Sequence, residues 1–112
     1  MPGTWILASC SYDDSIKFWT QEDDDWECTS TLNGHESTVW WIDFTKDGKY
    51  LASASDDTTI KIWLQGDNFE QNPSYSLVST LQGYHKRTVY SCSWNHDGTF
   101  LATVMGFILE KI

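Results

Sequence analysis

The chain repeats itself, and the repeat constrains its fold more than any other feature. Leu7-Ala8-Ser9-Cys10-Ser11-Tyr12-Asp13-Asp14-Ser15-Ile16-Lys17-Phe18-Trp19 aligns with Leu51-Ala52-Ser53-Ala54-Ser55-Asp56-Asp57-Thr58-Thr59-Ile60-Lys61-Ile62-Trp63 at an offset of 44 residues. A second match runs from Gly34-His35 through Thr38-Val39 to Asp47-Gly48. Its counterpart is His85 through Thr88-Val89 to Asp97-Gly98, followed by Leu101-Ala102-Thr103, at an offset of 50. The extra residues fall in the polar stretch Gln65 to Ser74, with Gly66, Asn68, Asn72 and Pro73. Loops absorb insertions, so the change lies where the fold tolerates it. Self-similarity at a period of roughly 20–50 residues marks an array of small units that bury their faces against one another.

Each unit reads as short strands separated by turns. Tyr50 to Ser55 is one strand. Thr59 to Leu64 is the next, with Ile60 and Ile62 alternating with Lys61 and Trp63. Asp56-Asp57 makes the turn between them, and Asp47-Gly48 is a hairpin signal before Tyr50. Thr38 to Phe44 precedes these strands and Tyr75 to Leu81 follows them. No helical periodicity competes. Four strands per unit of about 40–50 residues is the pattern of a β-propeller blade.

Composition narrows the partners. Seven basic residues stand against sixteen acidic ones, a formal net charge of −9. Phosphate backbones and anionic membrane surfaces are met by Lys and Arg, so neither nucleic acid nor membrane suits this chain. A basic protein surface suits it better. Seven tryptophans exclude a disordered tail. The cysteines, Cys10, Cys28 and Cys92, are odd in number and widely spaced, which argues against a disulfide framework. They also lack metal-ligand spacing, and Cys92 aligns with Ile42 as a small core residue. His96 reads as a solvated turn residue. The sequence has no cofactor motif, signal peptide or membrane-spanning run, which favours the cytosol or nucleus.

Gly34-His35, Asp47-Gly48, Leu51-Ala52-Ser53, Asp57 and Ile60-Lys61-Ile62-Trp63 together resemble a WD40 repeat, ending in Trp-Leu where Trp-Asp is common. The resemblance implies an all-β propeller fragment of about two and a half four-stranded antiparallel blades. It also implies a structural tetrad of His35, Ser53, Asp57 and Trp63. An indole N–H can only donate. Trp63 would donate to Ser53, Ser53 would bond the His35 ring, and the other ring nitrogen would face Asp57. Partial tetrads are Ser9, Asp13 and Trp19 in the first repeat and His85 and Thr103 in the third. Ser53, His35 and Asp57 are also the residue types of a hydrolase triad. A serine held by an indole inside a blade is not a free nucleophile, and no Gly-x-Ser-x-Gly elbow accompanies it. The expectation is a protein without catalytic residues.

By position, residues 1–33 supply three strands of one blade, 34–81 a complete blade, and 82–112 the start of a further blade with a divergent tail. After Thr103 the repeat pattern fails, in Val104 to Ile112. A ring needs about 4–8 blades, so the chain is expected to be a truncated product that exposes blade faces, is poorly soluble, oligomeric or chaperone-bound, and lacks the scaffold function of a complete ring.

One stretch narrows the resemblance. Glu22-Asp23-Asp24-Asp25-Trp26-Glu27-Cys28, continuing to Glu36-Ser37-Thr38-Val39-Trp40, is similar to the WD40 subunits of the cytosolic iron–sulfur assembly targeting complex, as is Gly83-Tyr84-His85-Lys86-Arg87-Thr88-Val89-Tyr90. That family implies a non-catalytic scaffold that helps deliver clusters to apoproteins. Its implied partners are targeting subunits (a small acidic-domain protein and a HEAT-repeat adaptor) and client apoproteins, and it holds no cluster itself. A Leu-Tyr-Arg motif found in some members corresponds here to Phe18-Trp19-Thr20, so the arginine is lost. The competing reading is a WD40 adaptor of a chromatin or ubiquitin-ligase complex. In WD40 blades, recognition residues often lie at the start of the first strand and just before the tetrad Asp. Those positions are Tyr12, Thr38, Trp40, Asp56, Thr88 and Tyr90. Trp and Tyr suit binding hot spots; the alternative for Trp40 is packing against a neighbouring blade.

Overall fold

The computed structural model describes residues 6–67, 74–83, 86–99, 101–105 and 108–111. Ten strands form three antiparallel sheets. The first contains β1 (Ile6–Cys10), β2 (Ile16–Glu22) and β3 (Asp25–Leu32). The second contains β4 (Val39–Phe44), β5 (Tyr50–Ser55), β6 (Ile60–Gln65) and β7 (Tyr75–Leu81), side by side in chain order. The third contains β8 (Val89–Trp94), β9 (Leu101–Met105) and β10 (Ile108–Lys111). The last strand departs from the sequence reading. The tail that breaks the repeat folds back on β9, with Ile108 opposite Met105 and Lys111 opposite Ala102. Backbone pairing requires no repeat motif, and Ile108-Leu109 suits a strand.

The middle sheet is buried on both faces, and β5 shows why. Period-two alternation sends Leu51 to one side and Ala52 and Ala54 to the other. Leu51 joins Ile16, Phe18, Leu32, Val39, Trp63 and Tyr75 in a core against the first sheet. Ala52 and Ala54 join Ile60, Val89, Cys92 and Leu101 in a second core against the third sheet. Small side chains on β5 let that sheet approach closely; Cys92 Sγ lies 3.7 Å from the Ala52 carbonyl oxygen. Burial pushes the Cys92 thiol up to about 12, helped by the Asp43 carboxylate. Cys10 is half-buried and Cys28 exposed. The first core is largely aromatic: Phe18 stacks on Tyr75 at 5.3 Å, and both rings meet Phe44. The Tyr75 hydroxyl donates to the Gly48 carbonyl at 2.5 Å, so this buried phenol keeps a polar partner.

Specific polar contacts fix the sheets relative to one another. The Val39 amide donates to the Ser11 carbonyl at 3.0 Å, joining the first two sheets. Asp43 clasps the third. Its carboxylate accepts the Trp94 amide at 2.9 Å, and its carbonyl accepts the Trp94 indole at 3.1 Å. At the other end of the strands, Gly48 and Gly98 both have φ of 74° in equivalent turns, a backbone glycine adopts without strain. A Cβ on Gly98 would lie 3.3 Å from Thr45 Cγ2, so the second turn also packs closely on the first.

Candidate functional site

Two arrangements share the end of the sheets where the β1–β2 and β5–β6 turns meet the loops entering β4 and β8. One is a buried hydrogen-bond chain and the other an exposed aromatic face.

The buried chain starts on β6. Trp63 Nε1 donates to Ser53 Oγ on β5 at 2.9 Å. His35 Nε2 lies 2.6 Å from the same oxygen, and His35 Nδ1 lies 2.8 Å from Asp57 Oδ2. A carboxylate can only accept, so Nδ1 carries the proton and Nε2 accepts from the Ser53 hydroxyl. All donors then point one way, from the indole to the carboxylate. Burial lowers the His35 pKa against the opposing pull of Asp57, which favours this neutral ring. Burial resists ionisation of Asp57 as well. Hydrogen bonds from the Thr59 hydroxyl, the Glu36 amide, the His35 ring and the Thr59 amide overcome it and hold the carboxyl at about 2. Gly34 permits the approach of the loop carrying His35: a Cβ there would sit 3.2 Å from the Trp63 ring.

The order Ser–His–Asp and its distances match those of a nucleophilic triad, but its accessibility does not. Ser53 has no solvent exposure, and its oxygen already receives an indole proton. A substrate carbonyl cannot reach that oxygen in this conformation.

In the first sheet Trp19 Nε1 donates to Ser9 Oγ at 3.0 Å, while Asp13 accepts from the Ser15 hydroxyl and amide at 2.5 and 3.0 Å. These are two separate pairs. His85 lies outside the described residues. Thr103 lies opposite Cys92 in the β9 ladder, and only its backbone is described.

The exposed face is built by two bulges. Pairing of β4 with β5 shifts register between Val39 and Trp41, and pairing of β8 with β9 shifts between Val89 and Ser91. Each bulge leaves one residue unpaired, Trp40 and Tyr90, and bulges re-aim side chains in this way. The valines before them are buried, whereas Trp40 is 43% and Tyr90 48% exposed. Their rings lie 5.9 Å apart, tilted by 50°. Trp40 therefore packs partly on the neighbouring sheet and still presents surface. Asp56 joins the loops beside them. One carboxylate oxygen accepts from Ser37 Oγ at 3.1 Å and the other from Thr88 Oγ1. Tyr12 occupies the equivalent turn position in the first sheet and is 83% exposed.

Thr38 departs from the sequence expectation of a contact residue, because it is buried. Its carbonyl accepts from the Asp56 amide and the Ser55 hydroxyl, both at 2.9 Å, so it braces the face from below. Ser37 and Ser55, which hold this loop, are not among the residues that the repeat pattern singles out. For Ser37 the available signal is Asp56, whose carboxylate needs donors; Ser55 instead donates to the Ser37 and Thr38 carbonyls and accepts the Asp57 amide.

The family model described as "WD domain, G-beta repeat" matches residues 2–20, 26–63 and 75–106. The chain is 46% identical to the "Probable cytosolic iron-sulfur protein assembly protein Ciao1" of Aedes aegypti, over 88% of this chain and 32% of that protein. It is 43% identical to the protein named "Probable cytosolic iron-sulfur protein assembly protein CIAO1 homolog" from Ixodes scapularis, over 89% and 31% of the two chains. It is also 48% identical to the "Probable cytosolic iron-sulfur protein assembly protein 1" of Vanderwaltozyma polyspora, over 68% and 23%. The chain thus spans about a third or less of the length of these curated relatives.

Proposed function

The chain belongs to the WD40 family, and from that premise we propose that it serves cytosolic iron–sulfur protein assembly as a non-catalytic, protein-binding scaffold. The observation that carries this reading is the identity of 43–46% across nearly nine-tenths of the chain to proteins named for that process. Their names also support a cytosolic location. The partners are then other assembly proteins and the apoproteins that receive clusters. The surface offered to them is the rim of Trp40, Asp56, Thr88 and Tyr90 with Tyr12, because large aromatic side chains with a polar tip dominate binding energy.

In this reading His35, Ser53, Asp57 and Trp63 fasten the loop before β4 to the β5–β6 turn and so hold the rim in shape. An active-site serine probe applied to the full chain should leave Ser53 unlabelled; labelling that His35→Ala abolishes would reverse the assignment. For binding, the tagged full chain is captured from cells, and iron–sulfur assembly proteins are quantified in the eluate. Trp40→Ala combined with Tyr90→Ala should reduce their recovery at unchanged thermal stability. Recovery of chromatin or ubiquitin-ligase subunits in their place would favour an adaptor of a different complex.

A further inference from the structure

The aromatic pair and the carboxylate tied to its two strands are complementary to a particular side chain. Trp40 and Tyr90 are held together by matching bulges on β4 and β8, each with about half its surface open. Asp56 is anchored from two sheets: its amide donates to the Thr38 carbonyl, and its carboxylate accepts from Ser37 and Thr88. Thr38 and Thr88 stand two residues before Trp40 and Tyr90, so these hydrogen bonds tie Asp56 to both of the strands that carry the rings. Among the described residues the donors to that carboxylate, Ser37 and Thr88, are neutral hydroxyls. Among the described residues no Lys, Arg or His lies within ion-pair distance of the Asp56 carboxylate.

The loops at this end carry Asp13, Asp14, Glu36 and Asp56 against Lys86 and Arg87, within a chain of net charge −9. Electron-rich ring faces attract a cation, and so does a carboxylate with no cationic partner. A guanidinium fits better than an ammonium, since it is planar, stacks on an indole and keeps N–H groups free for a carboxylate. The hydroxyls leave lone pairs on both Asp56 oxygens for those donors.

We propose that Trp40, Tyr90 and Asp56 form a receptor for an arginine side chain presented by a partner peptide. The proposal rests on the binding-scaffold reading and names the chemistry of what this rim accepts.

The test uses the full chain labelled with fluorotryptophan, the Trp40 resonance being assigned by its loss in Trp40→Phe. The probes are three blocked tripeptides, Gly-X-Gly, with X arginine, lysine or citrulline. The arginine peptide should shift the Trp40 resonance saturably, and citrulline, which keeps the shape but not the charge, should bind at least fivefold more weakly. Lysine should fall between them. Asp56→Asn, which keeps an oxygen for one of the two hydroxyls and offers its NH2 to the other, should bring arginine down to the level of citrulline. Equal binding of arginine and citrulline, or no shift at Trp40, overturns the proposal. Capture of assembly proteins from cells separates the two readings. If Trp40→Ala lowers capture while the tripeptides fail, the arginine receptor falls and the scaffold reading stands. If the arginine peptide binds and capture of assembly proteins is absent, the receptor stands and the scaffold reading falls.

Discussion

The turns after β1 and after β5 share one local design and differ in what they organise. In each, an aspartate accepts from a hydroxyl and an amide two residues on: Ser15 for Asp13, Thr59 for Asp57. In each sheet an indole also donates to a strand serine, at 3.0 Å from Trp19 to Ser9 and 2.9 Å from Trp63 to Ser53. The second sheet adds His35, which bonds the serine on one ring nitrogen and the aspartate on the other. Among the described residues no histidine joins Ser9 to Asp13. Trp63 is buried at 3% exposure while Trp19 is half-buried, and Asp13 is exposed. The local turn motif is therefore self-sufficient, and it becomes a buried network only when a residue distant in sequence closes it.

The strongest challenge to that comparison is to remove the closing residue. His35→Ala should lower stability by about 1–3 kcal/mol, because Ser53 and Asp57 lose a buried partner. Asp13→Ala breaks only an exposed turn and should leave the unfolding midpoint unchanged within scatter. Urea melts of the full chain followed by tryptophan fluorescence measure both. Equal losses would mean that the two turns contribute alike and that His35 adds nothing.

Acid should separate the two turns next. The folded-state pKa of His35 lies below its ordinary 6.5, and that of Asp57 lies at about 2, below its ordinary 3.8. Both groups bind protons more readily when unfolded, so their stability contributions are complete above the unfolded values and decline as pH falls. The His35 contribution starts to decline below about pH 6.5, and that of Asp57 follows below 3.8 toward 2. Melting temperatures taken from pH 7.5 to about 5 should fall in the native chain and stay flat in His35→Gln. A slope that survives His35→Gln would place its origin elsewhere.

Much of this was legible in the sequence because repetition exposes roles. Ser9 with Trp19 and Ser53 with Trp63 recur at the same spacing, and Gly34-His35 marks the loop that reaches them. Strand number and order in the middle sheet followed from alternation and turn residues. The bulges at Trp40 and Tyr90 were not legible, since an unpaired residue looks like any other in a strand. Burial of Thr38 was hidden for a related reason: its backbone carbonyl, not its side chain, is the group in use. Asp43 within the apolar run Ile42-Asp43-Phe44 hinted at a partner, but naming Trp94 required the third sheet to be placed beside it. Strand β10 matches no repeat and became visible only through its pairing with β9.

The smallest effect tests how alike the two turns are in backbone. Asp14 and Thr58 occupy the same turn position with φ of 74° and 72°, and each amide donates back to a serine carbonyl, Ser11 or Ser55, at 3.3 Å. Aspartate tolerates this left-handed conformation, whereas a β-branched threonine is strained in it. The cost for an ordinary side chain is roughly 1–2 kcal/mol. The Thr58 hydroxyl has no hydrogen bond among the described residues that would offset it. Thr58→Asn should therefore raise stability by about 0.5–1 kcal/mol, allowing for the residual strain of asparagine. The reciprocal Asp14→Thr should lower it by a similar amount, and Asp14→Asn should leave it unchanged. Thermal melts of the three variants against the native chain decide the matter. Destabilisation by Thr58→Asn together with a neutral Asp14→Thr would show that packing around Thr58, and not its backbone, sets the energy of that turn. The two sheets would then differ there in more than the presence of His35.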